Sequence, residues 1–452
     1  MTTMRDDMIV VGLDIGSSKV CAVAGRLIRN KDHITLEVLG VGRALSDGVT
    51  KGSVVNINRT VDAINRAIDE VATQSDLDIE IVNVGFSGQI TAKRQNGSIT
   101  RSSPGDEVTS LDIDQLLGDM YRSPTLAGTE IVHVLPMDFI VDNESGVEDP
   151  VGRNGVKLAA DFQVITAQTS AAVNTRKCIE RTKNHLIREK LVLSPLASAL
   201  AVLTDAEREA GVALVDIGGG TTDLAIYHRN VLRHVSVFPW AGNSLTKDIE
   251  LGCKILPQQA ELLKTKFGNA DPNNVRLNEV VSVPGLPGRL PKDVLLKNVA
   301  IIIEERLKEL AALVQAEIIR SGYKDKLLGG IVLTGGTASV HGIEHIFRRV
   351  TDVDIRVGYP DQLEHNLRAD LVSDPAYATA LGLVWAGFKS IDERISFISD
   401  PGRPVEPLPL PRPVAPVNPR TDKEPEKKAS GIMDWLRKMT NSDFGEKETD
   451  HY

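Results

Sequence analysis

Two short segments of this chain have the residue types and spacing to cradle phosphate groups, and they are near copies of each other. The first reads GLDIGSSK around Asp14 and the second VDIGGGTTD around Asp216. In each, an apolar run (residues 8–13 and 212–215) ends in Asp-Ile-Gly, turns through small or hydroxyl residues and continues as a second apolar run. Glycine lets a backbone approach an anion closely, Ser and Thr hydroxyls add donors, and the preceding aspartate can hold a hydrated divalent cation against the phosphates. Asp-Gly and Gly-Gly also make ordinary hairpin turns, so one copy alone decides little. The duplication carries the weight, because two such hairpins facing each other would clamp a nucleoside triphosphate.

The elements that must position these loops are also paired. A third strand is expected after the first hairpin, over residues 33–41, and another after the second, over 231–238. Each half then contains a helix of small residues opened by a cap and a proline: Ser194-Pro195 before LASALAVL, and Asp374-Pro375 before AYATALGLVWAG. Ser or Asp before a proline at the first helical position is the expected start signal. Alanine and glycine on such helices permit a close crossing, as a hinge between two lobes requires. Between the first repeat and its hinge helix lies extra material over about 84–168, with strands expected at 130–141 and 157–166 and a helix near 112–121. A second insertion reads as helices at 244–250 and 258–267, a Pro/Gly-rich patch at 283–291, and a helix over 293–320 with strong apolar periodicity. A strand at 331–333 then ends in Gly335-Gly336, and a helix resumes over 340–350.

Composition narrows the class. A chain of 452 residues is too long for one core and implies two lobes or more. Its net charge of −9 argues against a general nucleic-acid binder. Cys21, Cys178 and Cys253 lack metal-ligand spacing and fit buried thiols in a reducing compartment. No apolar signal segment and no run of about 20 apolar residues is present, so a cytosolic protein is expected. Residues 401–425 are dense in proline and read as an extended spacer. At ~3.1 Å per residue in polyproline II geometry, it would reach on the order of 100 Å. The stretch GIMDWLRKM follows, with Ile432, Trp435, Leu436 and Met439 on one helical face and Asp434, Arg437 and Lys438 toward the other. That pattern suits a helix lying in a membrane interface, and it also fits a partner-binding peptide. Burying four such side chains yields ~6–10 kcal/mol gross. Ordering the peptide consumes much of that, so one tail should bind reversibly and many tails tightly.

Two phosphate hairpins, two hinge helices and the segment VLTGGTASVHG together resemble the five-part signature of the actin-like ATPase superfamily. Within it, the insertion HVLPMDFIVDNESGVEDPVGRNGVKLAADFQVIT resembles subdomain 1C of the FtsA family of bacterial cell-division proteins. The pairing of a spacer with a short membrane helix agrees. The resemblance covers about residues 10–389 and the terminal helix. It implies an α/β, two-lobed actin-like ATPase fold of duplicated ribonuclease-H-like domains with an inserted 1C subdomain. The implied divisions are 1–83 and 169–205 for subdomain 1A, 84–168 for 1C, 206–242 for 2A and 243–300 for 2B. The rest of the second lobe follows over 301–372, the second hinge helix over 373–396, the linker over 397–430, the amphipathic helix over 431–445 and a polar tail over 446–452.

Site roles follow from the resemblance position by position. Gly16, Ser17 and Ser18 would contact the β- and γ-phosphates of ATP, with Lys19 as a charge partner. Gly218, Gly219, Gly220, Thr221 and Thr222 would face them from the other side. Asp14 and Asp216 would hold Mg²⁺ mainly through water. Gly335, Gly336 and Thr337 would line the adenosine. Lys308 would reach the base or ribose, although it reads equally well as a solvated helix charge. Ile432, Trp435, Leu436, Arg437, Lys438 and Met439 would bind anionic membrane lipids.

The implied partners are FtsZ, through the second insertion (about 242–293), later division proteins through 1C, and further copies of the chain in a filament, with no nucleic acid. The implied location is the cytoplasmic face of the cell membrane at the division site. One departure matters. Where strong ATPases of the superfamily carry a Glu or Gln before the first hinge helix, this chain reads LVLSPLAS, with Ser194 at the matching place. Serine is a good helix cap and a poor orienter of water, so slow hydrolysis is expected, with ATP acting as a conformational ligand. A soluble kinase or chaperone-type ATPase of the same fold is one alternative, and an actin-like scaffold of another membrane machine, such as pilus assembly, is a further one that the 1C-like insertion disfavours. The missing hinge carboxylate and the tail count against the soluble enzyme.

Overall fold

The computed structural model describes residues 8–30, 33–101, 107–361 and 369–392. The proline-rich spacer and the tail residues Ile432, Trp435, Leu436, Arg437, Lys438 and Met439 lie outside them. Both phosphate-type segments are β-hairpins at the centre of a five-stranded sheet. In the first, Ile9–Ile15 runs antiparallel to Lys19–Asn30, with Asp14 opposite Cys21 and Ile15 opposite Val20. In the second, Val212–Ile217 pairs with Thr222–His228, with Asp216 opposite Asp223 and Ile217 opposite Thr222. A third antiparallel strand completes each meander: His33–Leu45 in one sheet, Val231–Phe238 in the other. Two parallel strands continue each sheet on the far side. They are Ile81–Phe86 and Ile187–Leu193 in the first, Ile331–Thr334 and Ile355–Val357 in the second. The two sheets therefore share one strand order. All six residues of Val212–Ile217 are buried, the mark of a strand covered on both faces.

Parallel neighbours need crossover helices. In the first lobe the crossover is Ile57–Ser75, which buries Val61, Ile64, Ile68 and Val71 at helical spacing and is capped by Asn56, whose side chain accepts from the Arg59 amide. In the second it is Leu296–Ser321, packed against Gly242–Cys253 and Ile343–Thr351. This helix begins three residues later than its periodicity suggests. The Pro/Gly-rich patch turns the chain back, so Lys292–Leu295 pairs as a strand with Val280–Val283 before the helix starts. The helix expected over 340–350 likewise begins only at Ile343, because Gly342, at φ 81°, breaks the chain direction first.

The two small-residue helices, Ser194–Val202 and Ala378–Asp392, each follow the outermost parallel strand of a sheet and cross one another. A Cβ on Gly382 would sit 1.9 Å from the Ala197 carbonyl oxygen, so only glycine permits the crossing. Asp374 caps its segment as expected, its side chain accepting from the Ala376 amide at 2.9 Å. The expectation that Ser194 caps the other helix is corrected. A cap residue keeps an extended backbone, and here Leu193 holds that position while Ser194 is already helical, so its hydroxyl makes no capping bond.

Residues between Ile81–Phe86 and Ser194–Val202 form a separate four-stranded sheet in the order Ile90–Thr100, Lys157–Gln168, Thr129–Val141, Glu144–Val147. The helix Ser110–Tyr121, opened by a Thr109/Asp112 capping box, covers it. Leu116, Met120, Val134, Leu158 and Phe162 give it a core of its own.

Candidate functional site

The tips of the two hairpins are built alike. The Gly16 amide donates to the Lys19 carbonyl at 3.0 Å, and the Gly218 amide donates to the Thr221 carbonyl at 3.0 Å. These bonds leave Ser17, Ser18, Gly219 and Gly220 at the turns, where their amides make no hydrogen bond among the described residues. The tips face each other across the interlobe cleft. A Cβ on Gly219 would lie 1.8 Å from Ser18 Oγ, and one on Gly220 would lie 2.2 Å from Ser17 Oγ. Two hydroxyls thus abut two glycines where the turns come closest, and the four turn amides there are unengaged, the parts from which backbone anion nests are made.

Carboxylates stand behind the cradle. Burial pushes Asp14 up to about 6, and Asp223 up to about 8 with the charge of Asp216 adding to the effect. Asp216 is also raised by burial, against the hydrogen bonds it accepts on Oδ2 from Ser198 Oγ at 2.5 Å and Thr379 Oγ1 at 3.2 Å. Neighbouring buried carboxylates resist ionising together, and a cation among them removes that penalty. The Ser194 hydroxyl is buried without a hydrogen-bond partner. Ser194 Oγ and Asp14 Oδ1 each lie 3.4 Å from the place a Cβ on Gly85 would take. All these donors are oxygens, the set Mg²⁺ prefers. Among the described residues no group of three or more His, Cys, Asp or Glu is arranged to hold a metal ion directly. The Cys21 thiol opposite Asp14 is held up at about 12 by burial and is inert.

The back of the second hairpin is laced to the segment Gly335–Thr337 and to the start of helix Gly242–Cys253. Thr337 Oγ1 donates to the Gly218 carbonyl at 2.8 Å, and the Gly242 and Asn243 amides donate to the Gly218 and Gly219 carbonyls at 3.1 and 2.7 Å. Gly335 sits at φ 84°, where a Cβ would lie 2.2 Å from Asp216 Oδ1. Gly336 lies against Ala376, at the start of the second crossing helix.

Three expected contacts are placed elsewhere. Lys19 Nζ donates to the Ala376 carbonyl at 2.7 Å and lies 4.4 Å over the Tyr377 ring, which commits it to the hinge. Thr222 is fully buried within its strand, its hydroxyl donating to the Trp240 carbonyl at 2.7 Å. Lys308 lies along its own helix, 2.6 Å from Glu305 and 3.0 Å from Glu304.

Several site residues are not foreshadowed. Ser87, at the end of Ile81–Phe86, lies 3.0 Å from Thr221 Oγ1 and donates to Asp223 Oδ2 at 3.1 Å. Ser198 and Thr379, one from each crossing helix, meet on Asp216. Lys264 is buried, its ammonium donating to the Gly242 carbonyl, Thr246 Oγ1 and Glu261 Oε2. Only Asp223 carries a sequence signal, as the last residue of the second loop's TTD.

Residues 213–382 match the family model for the cell division protein FtsA, and residues 87–166 match that for the SHS2 domain inserted in FtsA. The chain is 36% identical over 397 residues to the FtsA of Pseudomonas aeruginosa, a match covering 88% of this chain and 93% of that protein. It is 35% identical over 398 residues to the FtsA of Escherichia coli K12, covering 86% and 93%. Among solved structures it is similar to a chain of a PilM-PilN type IV pilus biogenesis complex, with a TM-score of 0.58 at 16% identity over 84% of this chain and 98% of that one. At that identity the likeness concerns the fold.

Proposed function

The chain belongs to the FtsA family of cell-division proteins and has an actin-like fold with an SHS2 insert, and from that premise we propose that it is an ATP-responsive, membrane-anchored adaptor of the division ring. ATP with Mg²⁺ binds between the lobes. The amides and hydroxyls of Gly16, Ser17 and Ser18 face those of Gly218, Gly219, Gly220 and Thr221 across the phosphates, with Asp14 and Asp216 behind them and Gly335, Gly336 and Thr337 beside the nucleoside. Mg²⁺ bound there offsets the phosphate charge. The observation that carries this reading is the pair of like-bonded turns with unengaged amides, whose serines and glycines come into contact.

Ser194 stands where a water-orienting carboxylate or amide would be needed. Its hydroxyl is unpartnered and its helix is held tightly at the crossing, so hydrolysis is slow and nucleotide acts by closing the lobes. The closed form self-associates, and the filament gathers many tails on the cytoplasmic face of the membrane. The anchored filament tethers FtsZ and receives later division proteins through the inserted subdomain over 84–168. No described helix is long and apolar enough to cross a membrane; the apolar face of Ile432, Trp435, Leu436 and Met439 is what supports anchoring through the tail.

Co-sedimentation with anionic liposomes, with and without ATP and Mg²⁺, tests this on the full chain against one ending at Ser430, while phosphate release is followed. Tail-dependent pelleting that ATP promotes, with turnover below ~1 per second, is expected. Soluble behaviour with rapid turnover would overturn the adaptor reading in favour of an enzyme.

A further inference from the structure

The cleft is rich in negative groups and short of positive ones. Asp14 and Asp216 stand in it, and a polyphosphate brings more negative charge than one divalent cation offsets. The lysines nearest the hairpins are engaged: Lys19 with the Ala376 carbonyl and the Tyr377 ring, Lys264 with Gly242, Thr246 and Glu261.

A third, smaller hairpin reaches the same point. Its strands are Val49–Thr50 and Ser53–Val54, and its tip is Lys51-Gly52. The Gly52 amide donates to Ser17 Oγ at 2.9 Å. A Cβ on Gly220 would lie 3.1 Å from the Lys51 amide nitrogen, and one on Gly52 would lie 2.9 Å from the Gly88 nitrogen. The tip is thus wedged against both phosphate-type turns and the Ser87-Gly88 corner. Lys51 itself has φ 48°, a left-handed conformation that glycine or asparagine adopts far more readily than lysine. Its side chain is exposed and makes no hydrogen bond or ion pair among the described residues. Positive φ at both Lys51 and Gly52 is what a two-residue hairpin demands, and the usual occupants of its first position are asparagine, aspartate or glycine; here a long, unpaired cation stands there, with its backbone packed against both phosphate-type turns.

We propose that Lys51 is a phosphate ligand that closes over the outer phosphate of a nucleoside triphosphate held between the two hairpins. The inference rests on the nucleotide reading above and adds a preference to it. The nucleoside segment Gly335–Thr337 attaches at Gly218, whereas Lys51 stands at Ser17 and Gly220, two residues further along the turn. Lysine binds phosphate as a point charge, so it should strengthen triphosphate binding more than diphosphate binding.

The test is equilibrium titration of the full chain with ATP and with ADP, each with Mg²⁺, for wild type, Lys51→Gly and Lys51→Arg, together with thermal unfolding without nucleotide. Lys51→Gly relieves the backbone and removes the side chain that carries the charge. It should weaken ATP about 10- to 100-fold and ADP by less than about threefold, with an unfolding temperature equal to or above that of wild type, and Lys51→Arg should retain most of the affinity. Equal affinities for ATP in wild type and Lys51→Gly would overturn the assignment, as would a parallel loss for both nucleotides accompanied by lowered thermal stability. A wild-type chain that binds neither nucleotide would overturn the nucleotide reading itself, and this inference with it.

Discussion

At the residue scale, the cleft holds carboxyls that gain from staying protonated while the site is empty of cations. Asp223 is the extreme case, pushed up to about 8 by burial and the Asp216 charge, while Ser87 Oγ and Thr221 Oγ1 hydrogen bond around it. An acid whose pKa is raised on folding binds more protons folded than unfolded between the two values. Stability therefore falls as pH rises through that window. Below about 6, Asp14 contributes in the same direction, so Asp223 is read most cleanly between pH 6 and 8. In nucleotide-free urea titrations, wild type should lose on the order of 1 kcal/mol per pH unit there, and Asp223→Asn should flatten that slope. A slope unchanged by the substitution would place the titrating group elsewhere. None of this was legible in the sequence beyond the last letter of TTD, because Ser87 and Asp223 are brought together by different lobes. The same holds for Ser198, Asp216 and Thr379. Each of the two hydroxyl residues reads as one more small residue on a helix, and only the crossing of those helices sets them both on one carboxylate oxygen.

At the element scale, legibility followed duplication. The hairpins, the third strands and the two small-residue helices could be placed because each half of the chain vouches for the other, and the two sheets do share one strand order. What was misplaced depended on backbone state, which residue type alone does not set. Ser194 has the chemistry of a cap but not the extended conformation, and residues 293–295 continue a helical periodicity while the preceding turn pairs them as a strand. The crossing helices make the sharper prediction. Their contact depends on a missing methyl group at Gly382, so Gly382→Ala must push the Ala197 backbone away. Overpacking of this kind costs about 1–3 kcal/mol, measurable as a lower urea midpoint. Gly118→Ala, at a half-buried helix position where a Cβ would meet only the Arg122 side chain, should instead gain ~0.5–1 kcal/mol from helix propensity. If both substitutions behaved alike, the close crossing would not be a structural requirement.

At the scale of the whole molecule, the inserted sheet is not a free appendage of the first lobe. Its strands Ile90–Thr100 and Thr129–Val141 touch Val231–Phe238, the outer strand of the second lobe's meander. There Arg233, 8% exposed in its side chain, pairs with Asp138 of the insert, 34% exposed, at 2.5 Å. Val231–Phe238 is hydrogen bonded to Thr222–His228, which is bonded to the strand carrying Asp216. A hydrogen-bonded sheet therefore connects the cleft between the hairpins to the insert, and the ion pair is the last link. If the lobes close on ATP, the second sheet must carry Arg233 with it, and the insert must either follow or lose the pair. Arg233→Ala should cost only about 1–2 kcal/mol in global stability, since one partner keeps solvent access. Its larger effect should be local. Amide hydrogen exchange in Thr129–Val141 should respond to ATP in wild type and lose that response in Arg233→Ala, while ATP affinity stays within about twofold because the cradle is untouched. An ATP response in Thr129–Val141 that survives the substitution would mean that the insert senses the nucleotide through its covalent connections to the first lobe, and the ion pair would then be a surface contact with no part in the coupling.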